Sequence, residues 1–455
     1  MSSAPSAAGA RLVTGSTMGH VWRMTLAGAV GLIAVFAVDA INLLYVGLLG
    51  KPELTAALGY STTLLFFFLS VCIGLAVATT ALTSRAIGRG DTQRARELAG
   101  SSVAIMLAIS GGLALVALPA VPLLLGWLGA RGATADLAAT LTWITLPSVP
   151  LLGLGMCLAG LLRATGDARR AMYVTLGAAV ATAGLDPLLI FGLGLGVHGA
   201  AVSTVLARIV MVAFGLHGVL RVHRMVARPR TPQLRADLRP FIAIAFPAIL
   251  TQVATPVGNA YMTAALARFG DDAVAGWTVV QRLIPVAFGL LFALSGAIGP
   301  IVGQNFGARR FDRVRSAIVD SLKVTVLYVL AMWALLALAA PLLADLFRAT
   351  AQAREVIVFF CYFVAGSFLF NGALFVANAA FNNLGYPMTS TLFNWGRSTL
   401  GVIPFVWLGQ HWYGMQGALG GYGLGVVGFG LGSIWWCLRV IGRIQQQPAG
   451  PVPAR

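Results

Sequence analysis

The 455-residue chain alternates long apolar stretches with short polar segments. About 20 apolar residues in a helix cross the roughly 30 Å hydrocarbon core of a bilayer. A backbone in lipid must satisfy its own hydrogen bonds, so repeated stretches of this length indicate helices. The pattern predicts twelve transmembrane helices, at about residues 22–49, 56–84, 100–128, 137–162, 171–195, 199–220, 240–267, 273–304, 318–346, 354–381, 387–409 and 415–438.

The two halves of the chain repeat each other. The segment SRAIGRGDTQRAR, beginning at Ser84, aligns with GQNFGARRFDRVR, beginning at Gly303, at an offset of 219 residues. The segment LLRATGDA, from Leu161, aligns with AFNNLGYP, from Ala380, at the same offset, and VHGAA, from Val197, aligns with MQGAL at 218. Six helices per half keep the same orientation, which makes the repeats parallel, with their axis along the membrane normal.

The predicted fold is therefore an all-α membrane protein of twelve transmembrane helices. Two six-helix lobes are related by pseudo-two-fold symmetry along the membrane normal. The most polar stretch lies between the sixth and seventh helices and marks the boundary. The predicted parts are a cytoplasmic N-terminal tail (1–21), an N-lobe (22–220), a cytoplasmic linker (221–239), a C-lobe (240–438) and a cytoplasmic tail (439–455).

Composition and charge add the topology. Only 10% of the residues are charged, and the formal net charge is +17. Loops on the side of the termini carry 23 Lys and Arg residues, whereas loops on the opposite side carry five. This bias predicts a multi-pass protein of the inner (plasma) membrane with both termini in the cytoplasm. Because the basic residues lie in short loops and no separate basic domain is present, the sequence excludes a nucleic-acid partner.

Two acidic residues lie inside the apolar stretches. Of fourteen Asp and Glu residues, only Asp39 and Asp186 are well within a predicted helix, where a charge costs at least about 2.5–3.5 kcal/mol. Each lies 16 residues beyond the arginine that opens its helix, Arg23 or Arg170. At 1.5 Å per residue, both acids are about 24 Å up, in the outer half of the membrane. Two carboxylates at one depth predict an ion site, for H⁺ or alternatively for Na⁺.

Neighbouring polar side chains are predicted to support this ion site. Asn42 lies about one turn from Asp39 on the first helix. Thr182 lies one turn before Asp186, and Ser203 and Thr204 on the following helix offer further oxygens. The structural alternative is a pair of acids that only hold helices together by binding Arg208.

The repeat places the ion site in the N-lobe alone. Asp39 corresponds to Asn259 at an offset of 220, and Asp186 falls opposite the apolar residues 403–405. The polar intramembrane residues of the C-lobe are instead predicted to line the substrate cavity: Gln252, Asn259, Gln281, Arg282, Asn371 and Asn378. Arg282 and Arg397 fit the role of internal counter-charges equally well. No metal-ligand or catalytic cluster is predicted, and no Walker sequence indicates ATP.

The chain resembles the multidrug and toxic compound extrusion (MATE) family over essentially its full length. The resemblance rests on VDAINLLYVGLLG in the first helix, ALTSRAIGRGDTQRAR after the second, LLRATGDARR after the fourth, LDPLLIFGLGLGVHGAA across the fifth and sixth, and GPIVGQNFGARRFDRVR after the eighth. Within the family it is similar to the DNA-damage-inducible branch, whose coupling acids match Asp39 and Asp186. Thr182 departs from the asparagine often found there, and Ala27 and Gly28 replace the usual proline of the first helix.

The residues and the resemblance together predict a secondary active antiporter, with no enzymatic activity and no cofactor besides the coupling ion. It would export amphipathic, cationic drugs or metabolites in exchange for H⁺ by alternating access. Its partners would be the small-molecule substrate and the lipid bilayer, and it would act as a monomer. The alternative is a flippase for a lipid-linked oligosaccharide or peptidoglycan precursor, which needs a strongly basic cavity built from Arg208, Arg282 and Arg397.

Overall fold

The computed structural model describes residues 9–48 and 52–446, and in these residues the regular secondary structure is entirely helical. The all-α prediction is therefore confirmed. The predicted ends of the two tails and the loop at 49–51 lie outside the described residues. The α-helices are α1 (Thr17–Leu48), α2 (Pro52–Gly88), α3 (Thr92–Trp127), α4 (Gly132–Thr145), α5 (Val149–Ala164), α6 (Ala168–Pro187), α7 (Val197–Leu216), α8 (Thr231–Ala267), α9 (Asp271–Gly307), α10 (Phe311–Leu346), α11 (Ala351–Phe359), α12 (Phe368–Leu384), α13 (Pro387–Gly396) and α14 (Val402–Gln445).

These helices supply the twelve predicted membrane crossings. Helices α4 and α5 are continuous through a 3₁₀ turn, Leu146–Ser148, and α11 and α12 are continuous through irregular helical turns at 360–367. Helix α13 continues into α14 through a π-helical turn, Arg397–Gly401. By length and composition, 11 described helical segments can cross a bilayer, and the last of them runs over 59 residues. That segment is broken by non-helical backbone at Tyr413 and Gly414. It therefore supplies two crossings, and the chain is a multi-pass membrane protein.

The outer surfaces of the helices agree with a lipid environment. Leu115 on α3 is 71% exposed and Leu338 on α10 is 83% exposed. In water, contiguous exposed apolar surface of this kind would promote association. In hydrocarbon it carries no such cost, because lipid tails are as apolar as leucine. The exposed leucines therefore identify the lipid-facing sides of α3 and α10.

The internal repeat extends to the backbone conformation. Four left-handed positions recur 218 or 219 residues apart, and so does a 3₁₀ turn, at Leu146–Ser148 and again at Ala365–Ser367. A left-handed conformation is rare outside glycine and marks a defined turn. The left-handed positions pair as Gly90 with Arg309, Gly129 with Arg348, Gly166 with Gly385, and Gly196 with Gly414. The two halves thus share their turns as well as their helices.

The chain forms two compact units. Within the described residues, the first unit contains 9–11 and 27–249, and the second contains 12–26 and 250–446. In the second unit, the backbone N–H of Leu12 donates to Gln304 Oε1 at 2.9 Å. The Thr17 hydroxyl donates to Asp320 Oδ2 at 2.5 Å. These bonds hold the start of α1 within the second unit, so α1 passes from one unit to the other along its length.

The first half of α8 is held in the first unit in a comparable way. Arg94, at the start of α3, forms an ion pair with the buried carboxylate of Asp237 on α8. The backbone N–H of Ala227 donates to the carbonyl of Arg96 at 3.0 Å. Pro232, in the first turn of α8, favours a helix start, so α8 begins within the stretch predicted as a linker.

Asp167 ties the beginning of α6 to the segment that follows α7. Its carboxylate accepts from the backbone N–H of Arg170 at 3.1 Å, from Arg170 Nη1 at 2.6 Å and from His223 Nε2 at 2.8 Å. Burial alone would raise the pKa of Asp167, but the hydrogen bonds from His223 and Arg170 together hold it well below its usual range. The ionised form therefore stabilises the folded state.

We expect Asp167→Ala to lower the free energy of unfolding at pH 7 by about 1–2 kcal/mol, because a helix cap and charge-assisted bonds are lost. The carboxylate contributes this stability above its unfolded-state pKa of about 3.9, and the contribution is lost as the pH falls through the lower folded-state pKa. Thermal unfolding of purified protein at pH 7 and pH 3 measures the difference. Asp91→Ala, at the exposed cap of α3, is the matched control and should cost less. An equal loss for Asp167→Ala at both pH values would contradict the charge-based explanation.

Candidate ion-binding site

Asp186 lies at an irregular point of its helix. It is 1% exposed and is followed by Pro187, the last residue of α6, and then by a π-helical turn, Leu188–Gly192. Proline has no N–H to donate, so the carbonyl one turn earlier loses its helical partner. π-Helical turns are rare and are frequent at functional sites. The local sequence therefore places the buried carboxylate beside backbone that is not fully used by the helix.

A glycine on α1 allows this helix to approach α6 closely. A Cβ atom at Gly31 would lie 2.1 Å from Thr175 Oγ1 on α6, closer than any side chain permits without a shift. Asp39 and Asn42 follow Gly31 by two and three turns on the same helix. The absence of a side chain at Gly31 thus brings the polar residues of α1 alongside those of α6.

The polar contacts of the site converge on Asp186. Asn42 Nδ2 donates to Asp186 Oδ2 at 2.9 Å. The second carboxylate oxygen, Asp186 Oδ1, accepts no hydrogen bond from the described residues. The fully buried hydroxyl of Ser203, on α7, lies beside Asp186 and has no hydrogen bond of normal geometry there. Asp39, on α1, is exposed, and its carboxylate and that of Asp186 repel each other when both are ionised.

Of the six residues predicted for the ion site, the structure brings together Asn42, Asp186 and Ser203, whereas Asp39 is exposed and lies about one turn before Asn42 on α1. The other two have their hydroxyl protons engaged within their own helices. Thr182 donates to the carbonyl of Ala178, and Thr204 donates to that of Ala200, both at 3.0 Å. Such i−4 bonds are common for threonine in helices, and sequence alone does not reveal them.

Arg208 is directed elsewhere. Its Nη1 donates to the carbonyl of Thr145 at 3.1 Å and to the hydroxyl of Ser148 at 2.6 Å. Both acceptors border the 3₁₀ turn between α4 and α5, where backbone carbonyls lack the regular helical bond. No ion pair joins Arg208 to an acid of the described residues. The alternative in which Asp39 and Asp186 serve as its counter-charges is therefore unsupported.

The arrangement has a clear chemical capacity. An ionised carboxylate only accepts hydrogen bonds, whereas a protonated one also donates. With Oδ2 bound to Asn42 and Oδ1 without a hydrogen bond from the described residues, Asp186 can bind one proton or one small cation at Oδ1. Two mutually repelling carboxylates favour binding of such a positive charge.

The second unit contains a separate polar network around Arg397, the first residue of the π-helical turn. Arg397 Nη1 donates to Asn371 Oδ1 at 3.2 Å, and Nη2 donates to Thr255 Oγ1 at 2.9 Å. The Tyr422 hydroxyl donates to Asn259 Oδ1 at 3.1 Å. Thr255 and Tyr422 were missed from the sequence, although Thr255 lies one turn before Asn259 on α8.

The residues predicted to line a cavity in the second unit have different surroundings. Asn371 and Asn259 belong to the network, and Gln281 Nε2 donates to Thr263 Oγ1 at 3.4 Å. Asn378 is buried, with no partner for its Oδ1 among the described residues. Gln252 is half-buried, and Arg282 is exposed. The six residues therefore do not form one continuous group of contacts.

A repeated all-α membrane fold with an ionisable site inside its helices is typical of membrane transport proteins. The MatE family model matches residues 28–188 and 247–408, one segment in each half of the chain, and the chain belongs to this family. The family resemblance of the sequence is thereby confirmed. Members of the family are transporters.

Individual relatives agree with this assignment. The chain is 29% identical over 405 residues to a protein of Shewanella oneidensis named "FAD transporter", covering 87% of this chain and 89% of the relative. It is 24% identical over 389 residues to "Multidrug export protein MepA" of Staphylococcus aureus, covering 83% and 84% of the two chains. A crystal structure of a mutant of the Vibrio cholerae MATE transporter VcmN superposes with a TM-score of 0.90 at 25% identity, covering 94% and 98%.

Proposed function

We propose that the protein is a secondary active antiporter that exports small molecules in exchange for H⁺, with Asp39 and Asp186 as the coupling residues. The observation that carries the proposal is the buried Asp186 carboxylate, which has one oxygen fixed by Asn42 and the other unpaired. A group of this kind inside a membrane protein is costly unless it serves a function. We place the protein in the inner membrane as a monomer, with both termini in the cytoplasm.

Proton uptake changes the contacts of the site in a defined way. A proton on either acid removes the repulsion between Asp39 and Asp186. A proton on Asp186 also gives this carboxyl a donor beside the Ser203 hydroxyl. Such contacts tighten the packing of α1, α6 and α7 in the protonated state. A conformational cycle is driven by this difference in proton affinity between its states.

Na⁺ is the second candidate for the coupling ion. Carboxylate, amide and hydroxyl oxygens are ligands for hard cations, and Asp39, Asn42, Asp186 and Ser203 supply all three types. The proton is preferred because only one oxygen of Asp186 is unpaired, and a single oxygen suffices for a proton. A sodium ion requires several ligands.

The transported molecule is proposed to be an amphipathic drug or metabolite. One relative is named for FAD, an anionic dinucleotide, and the other for multiple drugs, so their names do not indicate one common charge for the substrate. The preference for cationic drugs remains a prediction from the sequence. The flippase alternative is not favoured: Arg208 is bound to Thr145 and Ser148, and Arg282 is exposed, so the basic cavity that it needs is not supported.

Transport in proteoliposomes tests the coupling ion. With ethidium, a cationic aromatic dye, as the probe, we expect a pH gradient alone to drive transport, and a proton ionophore to abolish it. An imposed Na⁺ gradient without a pH gradient should drive none. Transport driven by the Na⁺ gradient alone would replace H⁺ by Na⁺. Equal transport with neither gradient would contradict antiport altogether.

A further inference from the structure

Arg397 is a buried cation for which the described residues provide no counter-charge. Its side chain is 5% exposed. Its hydrogen-bond acceptors are the neutral oxygens of Asn371, Thr255 and Ser398, at 3.2, 2.9 and 3.1 Å. Its Nε has no partner in the described part of the chain. A guanidinium carries five donors and cannot lose its charge, so this environment satisfies it only in part.

The acids of the second unit lie on other helices than Arg397. Six occur between residue 250 and the C-terminus, all on α9, α10 or α11: Asp271, Asp272, Asp312, Asp320, Asp345 and Glu355. None of them forms an ion pair with Arg397. Buried charges in proteins are normally paired, because moving an unpaired charge out of water carries a large desolvation penalty. An anion from outside this chain would supply the missing partner.

The backbone around Arg397 departs from a regular α-helix. Arg397 opens a π-helical turn, a widened helical segment that is frequent at functional sites. Gly258 of α8 packs against Ser398, and a Cβ there would lie 3.4 Å from the serine Cβ. This brings the half-buried Thr255 to the guanidinium, so the network reaches the partly accessible face of α8.

A second unpaired donor lies next to this network. The indole N–H of Trp277 is buried and has no acceptor among the described residues. Its ring centroid lies 5.2 Å from that of Tyr422, whose hydroxyl donates to Asn259 Oδ1. Buried donors without acceptors are rare in native proteins, and each requires an explanation. Two such donors, one in the network and one next to it, point to a ligand that is rich in acceptors.

We propose that Arg397, with Asn371 and Thr255, forms a site for an anionic group, a phosphate or carboxylate, on the transported molecule. The planar guanidinium is suited to such groups because it binds two of their oxygens at once. The inference rests on the proposed transport function and extends it to the substrate class. It adds molecules that carry a negative group to the proposed range of transported molecules.

The test uses the purified full-length protein in phosphatidylcholine nanodiscs and two probes that differ by one phosphate, riboflavin and riboflavin 5′-phosphate. Binding is measured by flavin fluorescence anisotropy without any ion gradient. A failure of proton coupling therefore does not affect the result. We expect the wild-type protein to prefer the phosphorylated probe at least about tenfold, as for one good charge-assisted contact.

Three variants of the network show whether Arg397 causes the preference for the phosphorylated probe. Arg397→Gln removes the charge, and the preference should fall to about one- to twofold, whereas Arg397→Lys should retain part of it. Asn371→Asp places a carboxylate where Nη1 now meets an amide, so it should abolish the preference while raising the unfolding temperature. Arg268→Gln is the control, because it removes one positive charge from an exposed position at the end of α8. It should keep the wild-type preference.

Several results would overturn the proposal. Equal affinity of the wild-type protein for both probes, or no binding of either, removes the anion site. A preference that persists in Asn371→Asp, or in a folded Arg397→Gln, leaves Arg397 with a structural role only. An anionic lipid headgroup has the same chemistry, so the measurement is repeated with phosphatidylglycerol added. Loss of the preference only under that condition would assign the site to lipid and not to the transported molecule.

Discussion

Replacing Asp186 with asparagine is expected to reduce pH-gradient-driven export by about 100-fold or more, because a site that cannot change its protonation cannot bias the two states. Asparagine has nearly the same shape, and its amide still accepts the bond from Asn42 Nδ2. The folded protein should therefore be retained. Asp39→Asn should have a comparable effect. Transport of ethidium into proteoliposomes under a fixed pH gradient measures both.

Controls separate loss of coupling from loss of fold. Asp345→Asn removes an exposed carboxylate that pairs with Arg354 in the second unit, and it should leave transport unchanged. Asn42→Ala keeps both acids but releases Asp186 Oδ2, so it should give an intermediate rate. If Asp186→Asn exports at the wild-type rate with the gradient imposed, Asp186 is not a coupling residue. Ethidium binding to each variant without a gradient shows separately whether substrate recognition was altered.

The second large effect, a loss of stability, is expected from substitution of Gly425 in the C-terminal half of α14. A Cβ atom there would lie 1.8 Å from the carbonyl oxygen of Gly401, which belongs to backbone and cannot rotate away. Gly421 meets Phe405 and Gly417 meets Gly409 in the same manner. Glycines spaced by four residues allow two membrane helices to touch along their backbones. This packing holds the two crossings of the final segment together.

We therefore expect Gly425→Val to cost at least about 3 kcal/mol, the upper range for forcing volume into a packed interior. The variant should yield little monodisperse protein in size-exclusion chromatography. Gly428→Val is the matched control, because nothing lies within 4 Å of a Cβ atom at Gly428 on the same helix. Equal yields of the two variants would show that the contact with Gly401 relaxes at little cost.

The sequence carried enough information for the helices and for the repeat. Apolar length alone identified the twelve crossings, since a bilayer requires about 20 apolar residues from each helix. It did not reveal the π-helical turns or the 3₁₀ turns, because these depend on how neighbouring helices pack. It also did not reveal that the start of α1 belongs to the second unit. That placement depends on Leu12 meeting Gln304, a contact between residues far apart in the chain.

The candidate site shows a similar division. Asp39 and Asp186 were evident because intramembrane acids are rare, and their equal depth followed from helix geometry. The unpaired oxygen of Asp186 and the engagement of Arg208 with Ser148 were not evident, because both depend on side-chain direction. Arg397 was visible as an intramembrane charge. Its lack of an acidic partner became apparent only from the contacts around it.

The matched left-handed turns bear on how the protein arose. Gly90 and Gly129 of the first half correspond to Arg309 and Arg348 of the second, and all four residues keep a positive φ. A residue other than glycine in this conformation costs roughly 1–2 kcal/mol. The two repeats nevertheless share the shape of these turns, although only the first has the glycines that adopt a positive φ without strain. The path of the backbone is therefore more similar between the two repeats than the identity of their residues. The side chains were left free to diverge, with acids in one copy and an arginine in the other.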